Sequence, residues 1–335
     1  MYLNFYCYMI FMPMILFSNM ISIFLMSWMS LWMLMEINLI SFIMLLIFDK
    51  FNNYKISMNY FLIQTFNSYL FLFSSIMLNF NDLFSLLIFL TMLTKLGMPP
   101  FHYWYIKTIK KISWNNVLML LTIQKIIPLI VISMVINKFN TILNFNLLIM
   151  ISMTFSMIYS IMGINLIDIK VILAYSSIIQ MSWILLVMMN NETLSMTYFL
   201  IYCINSLNLI SLFKKMNFTN LMNFNSSMLN KKMTLFLFMS ILSLASMPPY
   251  FGFMMKWISI WSIFKNINIF LIIWMIFISL ISMFFYIRII INSIYSFSIS
   301  KKNHFKKINF YSIPNWWISF TNWMILFLLN SYELF

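Results

Sequence analysis

TMLTKLGMPPFHYW, residues 91–104, is the stretch whose reading decides the fold. It sits in a long apolar run, yet it carries a lysine, Lys95, and two successive prolines, Pro99 and Pro100. A charge in mid-bilayer costs roughly 3 kcal/mol on insertion scales, so it calls for a partner or water. Proline has no amide hydrogen and clashes with the preceding turn, so two together interrupt a helix. A membrane tolerates such a break only where protein or trapped water takes up the freed carbonyls. The same elements return in LSLASMPPYFGFMMKW, residues 242–257, with Pro248, Pro249 and Lys256. Paired interrupted helices in the two halves of a chain are a signature of transporters.

Composition agrees with a membrane setting. Of 335 residues, 63% are apolar and 8% charged, where a soluble domain carries about a quarter charged. The apolar runs last about 20 residues and do not alternate with polar ones, which favours helices over a barrel. Eleven spans are expected, near 4–22, 24–48, 59–77, 82–106, 114–136, 143–163, 170–189, 194–213, 234–257, 269–291 and 316–332. The net charge of +14 does not point to nucleic acid, because the lysines gather in short connections. Fifteen basic residues lie in or beside connections after even-numbered spans and two after odd-numbered ones. The positive-inside rule then puts the fifteen and the N-terminus on the inner face, and the C-terminus opposite. Five spans form a first unit and five more its repeat. An odd number of spans reverses the face of entry, so adjacent repeats are inverted. The expected domains are 1–140, with a break near 97–100; 141–291, with a break near 247–249; and a connection plus terminal span over 292–335.

The charged groups inside spans are the candidate site. Glu36, in MSLWMLMEINLISFIMLLIF, and Lys95 are the first pair, since opposite charges lower each other's desolvation cost. A static structural ion pair is the alternative. Lys125, in VLMLLTIQKIIPLIVI just before Pro128, is a relay candidate or a lysine that snorkels to an interface. Lys256 has the same two readings, with Trp257 and Trp261 compatible with an interfacial belt. His102 follows the first proline pair, and a histidine exchanges protons near neutrality. Asp82 is placed to cap the fourth span. Cys7 and Cys203 form no ligand cluster. Walker, dinucleotide and Cys/His metal patterns are missing from the sequence, so no cofactor is expected in this chain. MYLNFYCYMIF lacks the features of a cleavable export signal.

TKLGMPPFHYW and the LLTIQKIIPL run, with LAYSSIIQMSW at 173–183 and MPPYFGFMMKW at 247–257, resemble the antiporter-like subunits of the membrane arm of respiratory complex I, NADH:ubiquinone oxidoreductase. The Met- and Asn-rich composition is similar to that of mitochondrially encoded arthropod members. The resemblance implies an all-α polytopic fold of about eleven transmembrane helices, with two inverted five-helix repeats and two discontinuous helices. It implies proton translocation along Glu36, Lys95, Lys125 and Lys256, with His102 and Lys170 accessory. NADH, FMN, iron-sulfur clusters and ubiquinone would be used by other subunits. Partners would be a neighbouring antiporter-like subunit, small membrane subunits and inner-membrane phospholipids such as cardiolipin. The location would be the mitochondrial inner membrane, with the N-terminus in the matrix and the C-terminus toward the intermembrane space. The chain departs from the family where an arginine-lysine pair is common, having Lys170 and Val171, and where a histidine is common, having Gln180. A structural spacer and a free-standing cation/proton antiporter are the rival readings.

Overall fold

A computed structural model describes residues 2–49, 54–138, 144–216, 220, 231–264 and 269–303. Among them the secondary structure is helical, apart from one isolated bridge between Asp168 and Asn220. In hydrocarbon each backbone amide needs an internal partner, and a helix supplies it within one segment. The helices are α1 (Tyr2–Ser22), α2 (Trp28–Ile47), α3 (Tyr54–Met77), α4 (Phe84–Leu96), α5 (Tyr103–Lys111), α6 (Trp114–Leu121) and α7 (Ile126–Lys138). They continue with α8 (Asn144–Ile164), α9 (Ile169–Met188), α10 (Glu192–Met216), α11 (Lys231–Leu244), α12 (Phe251–Phe264) and α13 (Ile269–Asn303). Among the described residues, five helical stretches are long and apolar enough to cross a membrane: Trp28–Ile47, Trp114–Asn137, Ile169–Met188, Glu192–Met216 and Ile269–Ser293. Ten of the expected spans coincide with helix, and three of these are split in two. The eleventh, 316–332, lies outside the described residues.

The described residues pack as two compact units, drawn from 1–159 with 173–192 and from 160–172 with 193–335. In the first, α1 packs on α2, α2 on α3, α3 on α4 and α5, and α4 on α7. In the second, α11, α12 and α13 contact one another. Most of α9, within the expected repeat 141–291, belongs to the first unit.

The two proline breaks have one geometry. Gly97 closes α4 in the left-handed region, φ 68°, and Ser246 takes φ 55° after α11. Met98 N donates to Leu93 O (2.9 Å) and Gly97 N to Thr94 O (3.1 Å); Met247 N donates to Leu242 O (3.2 Å) and Ser246 N to Ser243 O (3.3 Å). This is the Schellman closure, which satisfies carbonyls that the helix end would leave bare. A turn follows in each, Phe101 N to Met98 O and Tyr250 N to Met247 O, both 2.9 Å. Pro99–Pro100 and Pro248–Pro249 are cis. Trp104 Nε1 also donates to Thr94 O, at 3.0 Å.

A third interruption was not expected. The span 114–136 breaks at Thr122 and resumes through a 3-10 turn, Ile123–Lys125, before α7. Pro128 supplies the reason, since it offers no amide to the carbonyl of Gln124, four residues earlier. Asp82 is not the cap of α4. Leu83 holds that position, and Ser85 donates through N and Oγ to the backbone carbonyl of Asp82.

Candidate functional site

The first unit contains a cavity lined by α2, α3, α4, α5 and the α6–α7 break. Lys95 and Lys125 both line it, with Asn38, Gln64, Gln124 and Tyr105 among the polar neighbours. Each lysine comes from an interrupted helix. Lys95 stands in the last turn of α4, and Lys125 ends the 3-10 turn. The space open to the centre of a water molecule is about 30 Å³. One water needs about 10–15 Å³ on that measure, so two or three fit.

The polar wall is tied to neighbouring helices. Gln124 Nε2 donates to Asn38 Oδ1 at 2.9 Å, which joins the α6–α7 break to α2. Tyr105 Oη and Ser177 Oγ are 2.7 Å apart, which joins α5 to α9. Lys125 is 2% exposed, and its Nζ lies 5.1 Å from the centre of the Tyr105 ring. A cation facing a ring within about 6 Å is attracted by its quadrupole. Lys125 is therefore buried and does not snorkel.

Glu36 and Lys95 are neighbours that each hold another group. Glu36 accepts a hydrogen bond from Ser68 of α3. Lys95 Nζ donates to Met35 Sδ at 3.3 Å. The carboxylate acts on the ammonium through space, as a coulombic neighbour.

The remaining candidates are placed as follows. His102 sits in the α4–α5 break, with Nδ1 at 3.1 Å from Pro100 O and 2.8 Å from Tyr159 Oη. Its ring lies against Tyr159, which stacks on Tyr175. Lys256, on α12 of the second unit, is buried at 7% exposure and donates to Ser246 Oγ at 2.6 Å. The second lysine thus reaches back to the left-handed residue of its own helix break, and it does not snorkel. Lys170 is buried at the start of α9. Of the residues around the pair and the cavity, Met35, Ser68, Asn38, Gln64 and Tyr105 went unread in the sequence. Met35 and Asn38 share a face of α2 by their three-residue spacing, but Glu36 does not point to it, since neighbours one and two apart on a helix do not face each other; Ser68 needed the packing of α3.

One polar cluster was also missed. Asp49, at 8% exposure after α2, accepts from Ser113 N (3.1 Å) and Asn116 Nδ2 (2.8 Å). Tyr8 Oη donates to Asn116 Oδ1 at 3.0 Å. This ties α1, α2 and the start of α6 together. Among the described residues, no group of His, Cys, Asp and Glu could hold a metal ion.

The fold and its lysine-bearing helix breaks define an antiporter-like membrane protein. Residues 75–282 match the family model described as NADH:quinone oxidoreductase/Mrp antiporter, transmembrane. The chain is 38% identical over 315 residues to NADH-ubiquinone oxidoreductase chain 2 of Anopheles gambiae, covering 90% of this chain and 89% of that one. It is 39% identical over 293 residues to the protein of the same name from Rhipicephalus sanguineus, covering 84% and 91%. The chain belongs to the NADH-ubiquinone oxidoreductase chain 2 family. Its fold is similar to a chain of respiratory complex I from Thermus thermophilus, with TM-score 0.71, 15% identity, and 87% and 70% of the two chains covered. It is also similar to a chain of the archaeal membrane-bound sulfane sulfur reductase, with TM-score 0.75, 17% identity and coverage of 92% and 69%.

Proposed function

We propose that this chain is a proton-translocating, antiporter-like core subunit of the membrane arm of respiratory complex I, in the mitochondrial inner membrane. NADH oxidation and ubiquinone reduction take place in other subunits, which hold the FMN and iron-sulfur clusters. The observation that carries the reading is that Lys95 and Lys125 line one and the same cavity. An ammonium and a neutral amine on one cavity with room for two or three waters exchange a proton by short hops, which a packed aliphatic wall would prevent.

A charge rearrangement along the arm strengthens or weakens the Glu36–Lys95 interaction. When Glu36 draws close, Lys95 keeps its proton; when it withdraws, the proton passes through water to Lys125, which accepts it as a neutral amine and has given up its own proton beforehand. Lys256 then takes part in the outward path of the second half. His102 and Lys170 are accessory groups. The repeats are 1–140 and 141–291, inverted, with the eleventh span in 292–335. The matching Schellman closures and proline turns at Gly97 and Ser246 support that symmetry. A short sequence likeness adds to it: YFLIQTFNS at 60–68 on α3 and YFLIYCINS at 198–206 on α10. The charge asymmetry supports an N-terminus in the matrix and a C-terminus in the intermembrane space. Other membrane-arm subunits, including a neighbouring antiporter-like one, and anionic lipids such as cardiolipin cover the apolar flanks.

Lys95→Met in the assembled complex, reconstituted in proteoliposomes with NADH and ubiquinone, tests the reading. Assembly survives and proton uptake per electron pair falls. Unchanged uptake per electron pair defeats the proposal.

A further inference from the structure

Glu36 and Lys95 each take a neutral side chain as hydrogen-bond partner. Ser68 donates to the carboxylate, and Met35 Sδ accepts from the ammonium at 3.3 Å. Met35 directly precedes Glu36 on α2, so the two side chains diverge by about 100° around the helix. Met35 is 4% exposed and lines the cavity beside Lys95. A lysine drawn to Met35 therefore stays at the cavity wall, on the side shared with Lys125.

We infer that Met35 is a positioning residue, a thioether latch that holds Lys95 at the cavity in the open arrangement of the pair. Ser68 holds Glu36 in the same arrangement. The inference rests on the proton-translocating reading above. A thioether suits this role because it is a weak acceptor. It orients an ammonium without a charge and lets go when the carboxylate approaches. A carboxylate at that position would hold on longer. The charged and titratable groups around Lys95 are Glu36 on α2, its coulombic neighbour, and Tyr60 on α3, Tyr105 on α5 and Lys125 at the α6–α7 break, which line the same cavity.

The experiment compares Met35→Leu with Met35→Gln in the assembled complex, in proteoliposomes, with Lys95→Met alongside. Leucine keeps the volume and the apolar character but removes the acceptor. Glutamine offers an oxygen at similar reach but places an amide in the packing. A latch predicts that Met35→Leu slows coupled proton uptake about fivefold, in keeping with the loss of one modest hydrogen bond. It also predicts a displaced pH optimum of uptake, and near-native uptake with Met35→Gln. A packing role predicts the reverse order, with leucine harmless and glutamine damaging, and that result overturns the proposal. If Lys95→Met abolishes uptake while Met35→Leu leaves rate and pH profile unchanged, the latch fails and the proton reading stands. If Lys95→Met pumps normally, both fall.

Discussion

Gly97→Ala should damage the cavity from a position that does not line it. The perturbation adds one methyl group where α4 ends. A Cβ there would lie 2.7 Å from Tyr105 Cβ and 2.8 Å from its Cγ. Ordinary carbon contacts lie near 3.5–4.0 Å. Because the nearest atom is a Cβ, no rotamer of Tyr105 relieves the overlap, and α5 itself has to shift. Tyr105 is 1% exposed and tied through its hydroxyl to Ser177, so it has nowhere open to go. The backbone adds its own cost, since φ 68° is left-handed and disfavours alanine by roughly 1–2 kcal/mol. Overpacking adds about 1–3 kcal/mol. The sum, about 2–5 kcal/mol, is a large part of what holds one helix junction. The assay is the midpoint of heat-induced loss of the assembled complex, read with proton uptake at lower temperature. Gly97→Asn separates the two terms, because asparagine tolerates the left-handed region and keeps the clash. Alanine should lower the midpoint by several degrees and asparagine by less, and both should slow uptake as Tyr105 moves against Lys125. A Gly97→Ala midpoint within about 1 °C of the native value would refute the reasoning, since each kilocalorie shifts a domain of this size by about 2–4 °C.

Gly252→Ala should be worse, because its Cβ would lie 1.9 Å from the backbone oxygen of Ser243. The α11–α12 break would have to open, and assembly yield at ordinary growth temperature should fall, whereas normal yield would show that the break is looser than described. Asp49→Ala should strand the Ser113 amide and Asn116 Nδ2 that it now accepts. A loss of about 1–3 kcal/mol is expected, seen as faster hydrogen exchange over residues 113–117 with native proton uptake per electron pair.

Much of this protein is written in its sequence by the solvent it inhabits. Apolar runs of about 20 residues, with no water to satisfy a backbone, leave helices as the available structure. Ten of the expected spans coincide with helix for that reason. The proline pairs placed two breaks, because a missing amide is a local fact. Pro128 carried the same information about the third break, but the surrounding apolar run masked it. The charged residues stood out one by one because each is costly alone.

Their partners did not stand out. Met35, Ser68 and Asn38 are ordinary residues in a membrane helix, and nothing local marks a methionine as a lysine's acceptor. Glu36 and Lys95 are legible as a pair by charge, but their holding by Ser68 and Met35 depends on how α2, α3 and α4 pack. The same packing made Lys125 a buried group under Tyr105, where spacing alone left it free to reach an interface. Lys256 turned inward to Ser246 for a similar reason. Sequence by itself determined the helices, their breaks and the anomalous charges, since hydropathy, proline and charge act on the segment that contains them. Tertiary structure alone decided which charges line one cavity and which take neutral partners, since a contact across helices depends on the rotation and depth of both.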